Sequence, residues 1–241
     1  MRKNSPDTKV WVYDIGLTTV EAIQIAELCD QITIPEKVND RMFEPIISHQ
    51  KATSDKVIGL YSWKPAVIKE SMLKIEYNEP LLWMDAGMTV LKPLNPIFNH
   101  IDKAGCFFIG VCDMGYMTTN TVRDYFGLTD AELLEQGINA AIMGIKKTEQ
   151  NLLGFVIPMY EYAKNINLFI DDGTAQGGIN AGRHDQTLFS IQVSKMGLPF
   201  FKTGNNMTLI DGGKITIPYL KNEIDGYSII YHSRGDGNYP Y

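Results

Sequence analysis

Leu81-Leu82-Trp83-Met84-Asp85-Ala86-Gly87-Met88-Thr89-Val90 is an apolar run interrupted once, by a carboxylate, a small residue and a glycine. Such a run predicts a strand buried on both faces, as in parallel sheets covered by helices. In open α/β sheets ligands sit beyond the carboxyl ends of the strands. An acid that interrupts the run is therefore a candidate site residue.

Outward from this stretch, short β-rich runs alternate with helical patterns. Residues 10–13 and 32–34 read as strands. Between them Thr18, with Glu21 three residues on, forms a capping box ahead of a helix that ends near Cys29. Residues 36–57 mix charge, Pro, His and Ser and read as a long loop. Pro65 stands where a helix begins, followed by Val67, Ile68, Met72, Leu73 and Ile75 at helical spacing. Further on, 97–101 reads as a short helix and 106–111 as a strand. Thr129-Asp130-Ala131-Glu132 opens a helix with acids in its first turn. Residues 138–145 read as a strand, 152–163 as a helix containing Gly154 and Pro158, 171–183 as a Gly/Asp/Asn loop, and 185–196 as a helix stopped by Gly197. Short β-like runs follow at 215–220 and 227–231, and 233–241 reads as a surface tail. Without repeat, low-complexity tract or linker, this predicts one α/β domain over residues 1–241.

The chain has 241 residues, 44% of them hydrophobic, and a formal net charge of -6. That balance argues against nucleic acid or an anionic membrane as partner; an anionic substrate would need a local basic pocket. The three cysteines, Cys29, Cys106 and Cys112, are odd in number and contain no CxxC. A disulfide framework or zinc site is not expected, and the thiols read as core residues. No apolar segment approaches the roughly 18 residues of a membrane span. Residues 1–9 lack the apolar stretch of a signal peptide, so the expectation is a cytoplasmic protein without membrane insertion. The sequon Asn206-Met207-Thr208 carries no weight without a secretion signal.

Common motifs fail. No GxGxxG follows a strand, the P-loop spacing breaks at Thr208 and Ile215, no Ser sits in a GxSxG elbow, and the four His show no metal-binding spacing. Three elements remain: Asp85-Ala86-Gly87, Arg183-His184-Asp185-Gln186 at a helix start, and Tyr231-His232-Ser233-Arg234 after a late strand. Three more accompany them: Tyr13-Asp14-Ile15-Gly16-Leu17-Thr18, Trp63-Lys64-Pro65, and Ile138-Asn139-Ala140-Ala141-Ile142-Met143-Gly144. In this order and at these separations, over about residues 10 to 234, they resemble the GT-A glycosyltransferases, the nucleotide-diphospho-sugar transferase fold.

The resemblance implies a Rossmann-like three-layer sandwich around a mixed, mainly parallel central sheet. It implies transfer of a sugar from a nucleotide-diphosphate donor to a hydroxyl of a glycan or other acceptor, hexosyl or deoxyhexosyl, with stereochemistry open. In that family a D-x-D motif ends a central strand and holds the ribose and a divalent cation, Mn²⁺ or Mg²⁺, whose charge offsets that of the leaving diphosphate. Asp85 matches the first acid, and Asp85, Ala86 and Gly87 fall on the donor side. His232 matches a late metal-ligating His. Gly87 departs from the pattern, because an acid that usually binds the metal directly is expected there; Asp113 could substitute. Lys64 and Arg234 would face the diphosphate. Asp185 would act at the acceptor side as base or positioning group, with Gln186 near the sugar.

Each residue also has a plainer reading. Asp85-Ala86-Gly87 fits a strand-ending turn, Asp185 an N-cap, and His232 a satisfied histidine. Lys64 and Arg234 fit solvated surface charge, and Trp63 fits core packing. The strand at 10–13 already resembles the family's second strand, and nine residues cannot supply the first strand and helix. That departure predicts a fragment, a reduced domain, or completion by another domain. Two rivals stay open. One is a non-catalytic recognition or scaffolding module of a glycan-assembly protein. The other is an unrelated α/β enzyme that pairs Asp85 with Asp185.

Overall fold

A computed structural model describes residues 3–15, 17–33, 58–179, 181–202, 214–215 and 230–232. Its strands are β1 (Trp11–Tyr13), β2 (Gln31–Thr33), β3 (Pro80–Met84), β4 (Met88–Val90), β5 (Cys106–Phe107), β6 (Gly110–Asp113), β7 (Gln136–Ile138), β8 (Ile142–Lys146), β9 (Lys214–Ile215) and β10 (Ile230–His232). The principal helices are α1 (Thr19–Ala26), α2 (Trp63–Lys74), α3 (Asn95–Ala104), α4 (Ile157–Ala163) and α5 (His184–Lys195). The fold is mixed α/β.

The strand expected over the opening run is two strands and a turn. β3 stops at Met84, residues 85–87 turn, and β4 resumes at Met88, with the Met88 amide donating to the Asp85 carbonyl at 3.1 Å. β3 lies antiparallel to β8, Trp83 opposite Met143, and β5 pairs with the other edge of β8. Alternate residues of β3 serve opposite faces. Leu81 and Trp83 pack against the larger core cluster with Ile68 and Met72 of α2 and Leu188 and Phe189 of α5. Leu82 and Met84 pack against a second cluster with Ile97 and Ile101 of α3. Helices thus cover both faces of this sheet, the three-layer arrangement expected.

Strand direction differs from the expectation. Among the described residues only β1–β2 and an isolated Ile109–Phe201 bridge run parallel; β3–β8, β5–β8, β6–β7, β4–β10 and β9–β10 are antiparallel. An unbroken apolar run reports that both faces are covered, and it carries no information about the partner's direction. β3 is also only half-buried along its length, while β8 is the buried centre.

Several local expectations hold. Thr18–Glu21 forms the expected capping box, and Asp130 and Glu132 stand in the first turn of their helix as expected, where Thr129–Glu132 adds a second box. Gly105 and Gly197 end α3 and α5 with positive φ. α3 extends beyond 97–101, and 106–111 splits into β5 and β6. The helix read over 152–163 is π-helical over Leu152–Val156 and becomes α-helical at Ile157, with Pro158 in its first turn. The Gly154 carbonyl, which a residue 158 amide would otherwise meet, accepts the Gln192 side-chain amide instead. Cys106 is buried, Cys29 and Cys112 are half-buried, and none is bridged. No helix among the described residues is long and apolar enough to cross a membrane. The loop at 36–57, the sequon and the tail lie outside the described residues.

Candidate functional site

The site begins with a broken strand. The expected strand over 138–145 is interrupted at residues 139–141, between β7 and β8. The Asn139 side-chain oxygen accepts the Ala141 amide at 2.9 Å, a local turn that Asn favours. The break leaves two carbonyls for other partners. The Ala141 carbonyl accepts the Asp85 amide at 2.8 Å, pinning the end of β3. The Ala140 carbonyl accepts Lys64 Nζ at 3.2 Å.

Lys64 lies in the first turn of α2 with its side chain 3% exposed. Its ammonium stands 3.2 Å from Asp85 Oδ1 and 2.7 Å from Asp185 Oδ2. It also lies 5.7 Å from the Tyr61 ring centroid and 5.5 Å from that of Trp83. The reading of Lys64 as solvated surface charge is therefore overturned. Its stem threads between aromatic rings, and its head is anchored by two acids and a carbonyl.

The two acids differ. Asp85 keeps its side chain 36% exposed, and the Trp83 indole N–H donates to its Oδ1 at 2.9 Å, fixing the carboxylate plane. Asp185 is 5% exposed. It lies inside the first turn of α5, whose N-cap is Arg183 and carries no side-chain cap bond. The N-cap reading of Asp185 thus fails by two positions, although a carboxylate there still meets the positive end of the helix dipole. α5 is held against β7 by Ser190, whose hydroxyl accepts the Ile138 amide. The Lys64 contact on Asp185 Oδ2 is close but lacks hydrogen-bond geometry, so this buried oxygen has no hydrogen-bond partner.

Burial sets the proton affinities. It pushes Asp185 upward, Lys64 pulls it back, and the net shift stays up. Burial pulls Lys64 down, but Asp185 and Asp85 outweigh it and the ammonium is held above its ordinary value. The two directions agree: two carboxylates share one ammonium, so the lysine keeps its proton and the buried acid gains one more readily.

The other expected residues fall around this centre. Ala86 is exposed and Gly87 half-buried in the turn after Asp85. Gln186 is half-buried, and its amide donates to Met117 Sδ at 3.4 Å. The backbone of His232 pairs opposite Met88, which brings β10 beside the strand that follows the Asp85 turn. The His232 side chain and the whole of Arg234 lie outside the described residues. Asp113 is exposed at the end of β6, opposite Gln136.

Among the described residues no group of three or more His, Cys, Asp or Glu is placed to hold a metal ion. Asp85 and Asp185 are also both taken by an ammonium, a donor set unlike the oxygen cage a hard cation wants. The described residues alone do not fit the expected Mn²⁺ or Mg²⁺.

Three contributors were not singled out in the sequence: Trp83, which orients Asp85; Tyr61, whose ring overlies Lys64; and the Ala140 carbonyl. Asn139 within an apolar run was the available signal for the last.

No family model matches the chain, and no curated protein matches it. Among solved structures the chain is similar to the apo form of mouse xyloside xylosyltransferase 1, at 14% identity and a TM-score of 0.49, over 92% of this chain and 82% of that one.

Proposed function

We propose that the chain is a GT-A-like glycosyltransferase domain that moves a sugar from a nucleotide-diphosphate donor to an acceptor hydroxyl. One observation carries this reading. Lys64, Asp85 and Asp185, each picked from a different motif of the ordered sequence resemblance, meet within 3.2 Å of one ammonium.

The roles follow from their environments. The partly exposed Asp85 accepts hydrogen bonds from donor hydroxyls. Asp185, desolvated and raised in proton affinity, suits a group that receives or positions the proton of an acceptor hydroxyl. Lys64 fixes the spacing of the two and supplies positive charge on the side where the leaving group gains negative charge. Gln186, one residue on from Asp185, is assigned to the sugar. No step depends on a divalent cation.

A non-catalytic module remains the second reading, favoured by the formal charge of the cluster. Two carboxylates and one ammonium sum to -1, which does not attract a diphosphate. An acid-pair enzyme of another kind would also bring Asp85 and Asp185 together, as seen. The test is a panel of nucleotide-sugars with the full chain, in Mn²⁺, Mg²⁺ or EDTA, scoring donor hydrolysis, transfer and calorimetric binding. Turnover that is lost in Asp185→Asn, with weaker donor binding in Asp85→Ala, supports the transferase. A folded protein that binds and turns over no donor, indifferent to Asp85→Ala, removes it; glycan binding without nucleotide binding then selects the module.

A further inference from the structure

We infer that Tyr61 and Trp63 form a stacking floor for a pyranose ring, with Asp85 taking one of its hydroxyls; the choice of ligand rests on the transferase reading. Four rings run in series along this edge. Trp83 lies 6.0 Å from Trp63, Trp63 6.2 Å from Tyr61, and Tyr61 5.9 Å from the His184 imidazole, all at tilted angles. They are unlike the core aromatics of this protein. Phe107, Phe108, Phe155, Phe169 and Phe189 are sealed from solvent, whereas Tyr61 is 38% exposed and Trp63 and Trp83 are half-buried.

The backbone makes a specific effort to hold Tyr61 there. Gly59, Leu60 and Tyr61 follow one another in the left-handed region, at φ 55°, 49° and 64°. Only the glycine adopts that region at ease. His184, the ring at the far end, is also left-handed, at φ 42°. Strain of this sort persists where packing over-determines it and gathers at ligand sites. Here it holds the Tyr61 ring beside the Lys64 ammonium while the residue keeps 38% of its surface exposed.

A pyranose suits this edge. One face of the ring is a patch of C–H groups, which the negative face of an aromatic π-system attracts. Its rim is hydroxyls, which donate well to a carboxylate. Asp85 Oδ1 is engaged by Trp83 and Lys64, and the carboxylate is 36% exposed, so its second oxygen is assigned to the sugar hydroxyl.

The experiment compares wild type, Tyr61→Phe, Tyr61→Leu and Tyr61→Ala by calorimetry and tryptophan fluorescence, with circular dichroism to confirm folding. Probes are methyl pyranosides and disaccharides, UDP and GDP, and the corresponding nucleotide-sugars. Removing the π-face in Tyr61→Ala and Tyr61→Leu should weaken saccharide or nucleotide-sugar binding about tenfold, while Tyr61→Phe keeps it and UDP and GDP are unaffected. Loss confined to free saccharides marks the acceptor as the stacked sugar; loss confined to nucleotide-sugars marks the donor. The inference is overturned if wild type binds no saccharide or nucleotide-sugar, if Tyr61→Ala equals wild type for all of them, or if UDP and GDP weaken equally. Tyr61-dependent saccharide binding without donor binding or turnover would keep the floor and remove the transferase. Donor turnover with unchanged KM in Tyr61→Ala would do the reverse.

Discussion

A buried lysine between two acids is a costly arrangement, and at the residue scale Asp185 carries much of that cost. Ionised Asp185 loses hydration and receives half of one ammonium in return. Its proton affinity in the folded chain is raised above its ordinary 3.8, with burial the main cause. Below that value the acid is neutral in both states and its contribution to stability is complete. As pH rises, the unfolded chain gives up its proton first, and the contribution is lost until the folded acid also ionises. Asp185→Asn removes this dependence. Urea unfolding from pH 3 to 8 should show wild type losing stability relative to Asp185→Asn across that rise. The difference between the two chains cancels surface acids such as Glu21 and Glu132, whose depressed values act in the opposite direction. A difference that is flat or grows in favour of wild type refutes this. Lys64→Met, which strands Asp185, should cost about 3–5 kcal/mol, and part of that should return in Lys64→Met/Asp185→Asn. Lys64, Asp85 and Asp185 were legible because motif order singles them out. Trp83 and Tyr61 were not, because an aromatic in an apolar run looks the same whether it fills a core or orients a carboxylate.

At the scale of elements, end signals were easier to read than directions. Thr18–Glu21 and Thr129–Glu132 announce their helices because capping is a local exchange of hydrogen bonds, complete within four residues. The antiparallel pairing of β3 with β8 is settled by residues sixty positions apart and leaves no local trace. Gly144 shows what that pairing requires. It sits on β8, and a Cβ there would stand 2.5 Å from Ile101 Cδ1 and 2.8 Å from Phe107 Cβ. The isoleucine tip can rotate, but the Phe107 Cβ is fixed to β5, which pairs with β8 opposite Gly144, so β5 and the α3 helix packed beside it would have to shift. Gly144→Ala should cost about 1–3 kcal/mol in urea unfolding, with an unchanged m-value. A loss under about 0.5 kcal/mol, within the range of ordinary surface changes, would mean that α3 is not seated on β8 as described.

Over the whole molecule the chain divides into regions of unequal burial, which composition and pattern did not reveal. None of the residues of α1 is buried, and Val20 and Ile23 on it, with Leu28 just beyond its end, are among the most exposed apolar side chains described. β1 and β2 pair with each other, and only Thr33 of the two is buried. The described links from this unit to the centre include the Tyr13 ring packed against Ala66, Val67 and Tyr160, its hydroxyl bonded to Glu70 and Ser71, and Lys74 over the Trp11 ring. By contrast β8 contributes buried side chains to both core clusters, and α5 contributes Leu188, Phe189, Ile191 and Val193 to the larger one. Opening free energy follows buried apolar contact, so the β1–α1–β2 unit should open sub-globally while the Lys64 centre stays intact. Native-state hydrogen exchange in rising urea is the measurement. Amides of β1, α1 and β2 should exchange through an opening with low free energy and weak urea dependence, and those of β8 and α5 only through global unfolding. A single opening free energy for both groups would show that the unit is bound into the core more firmly than its described contacts account for.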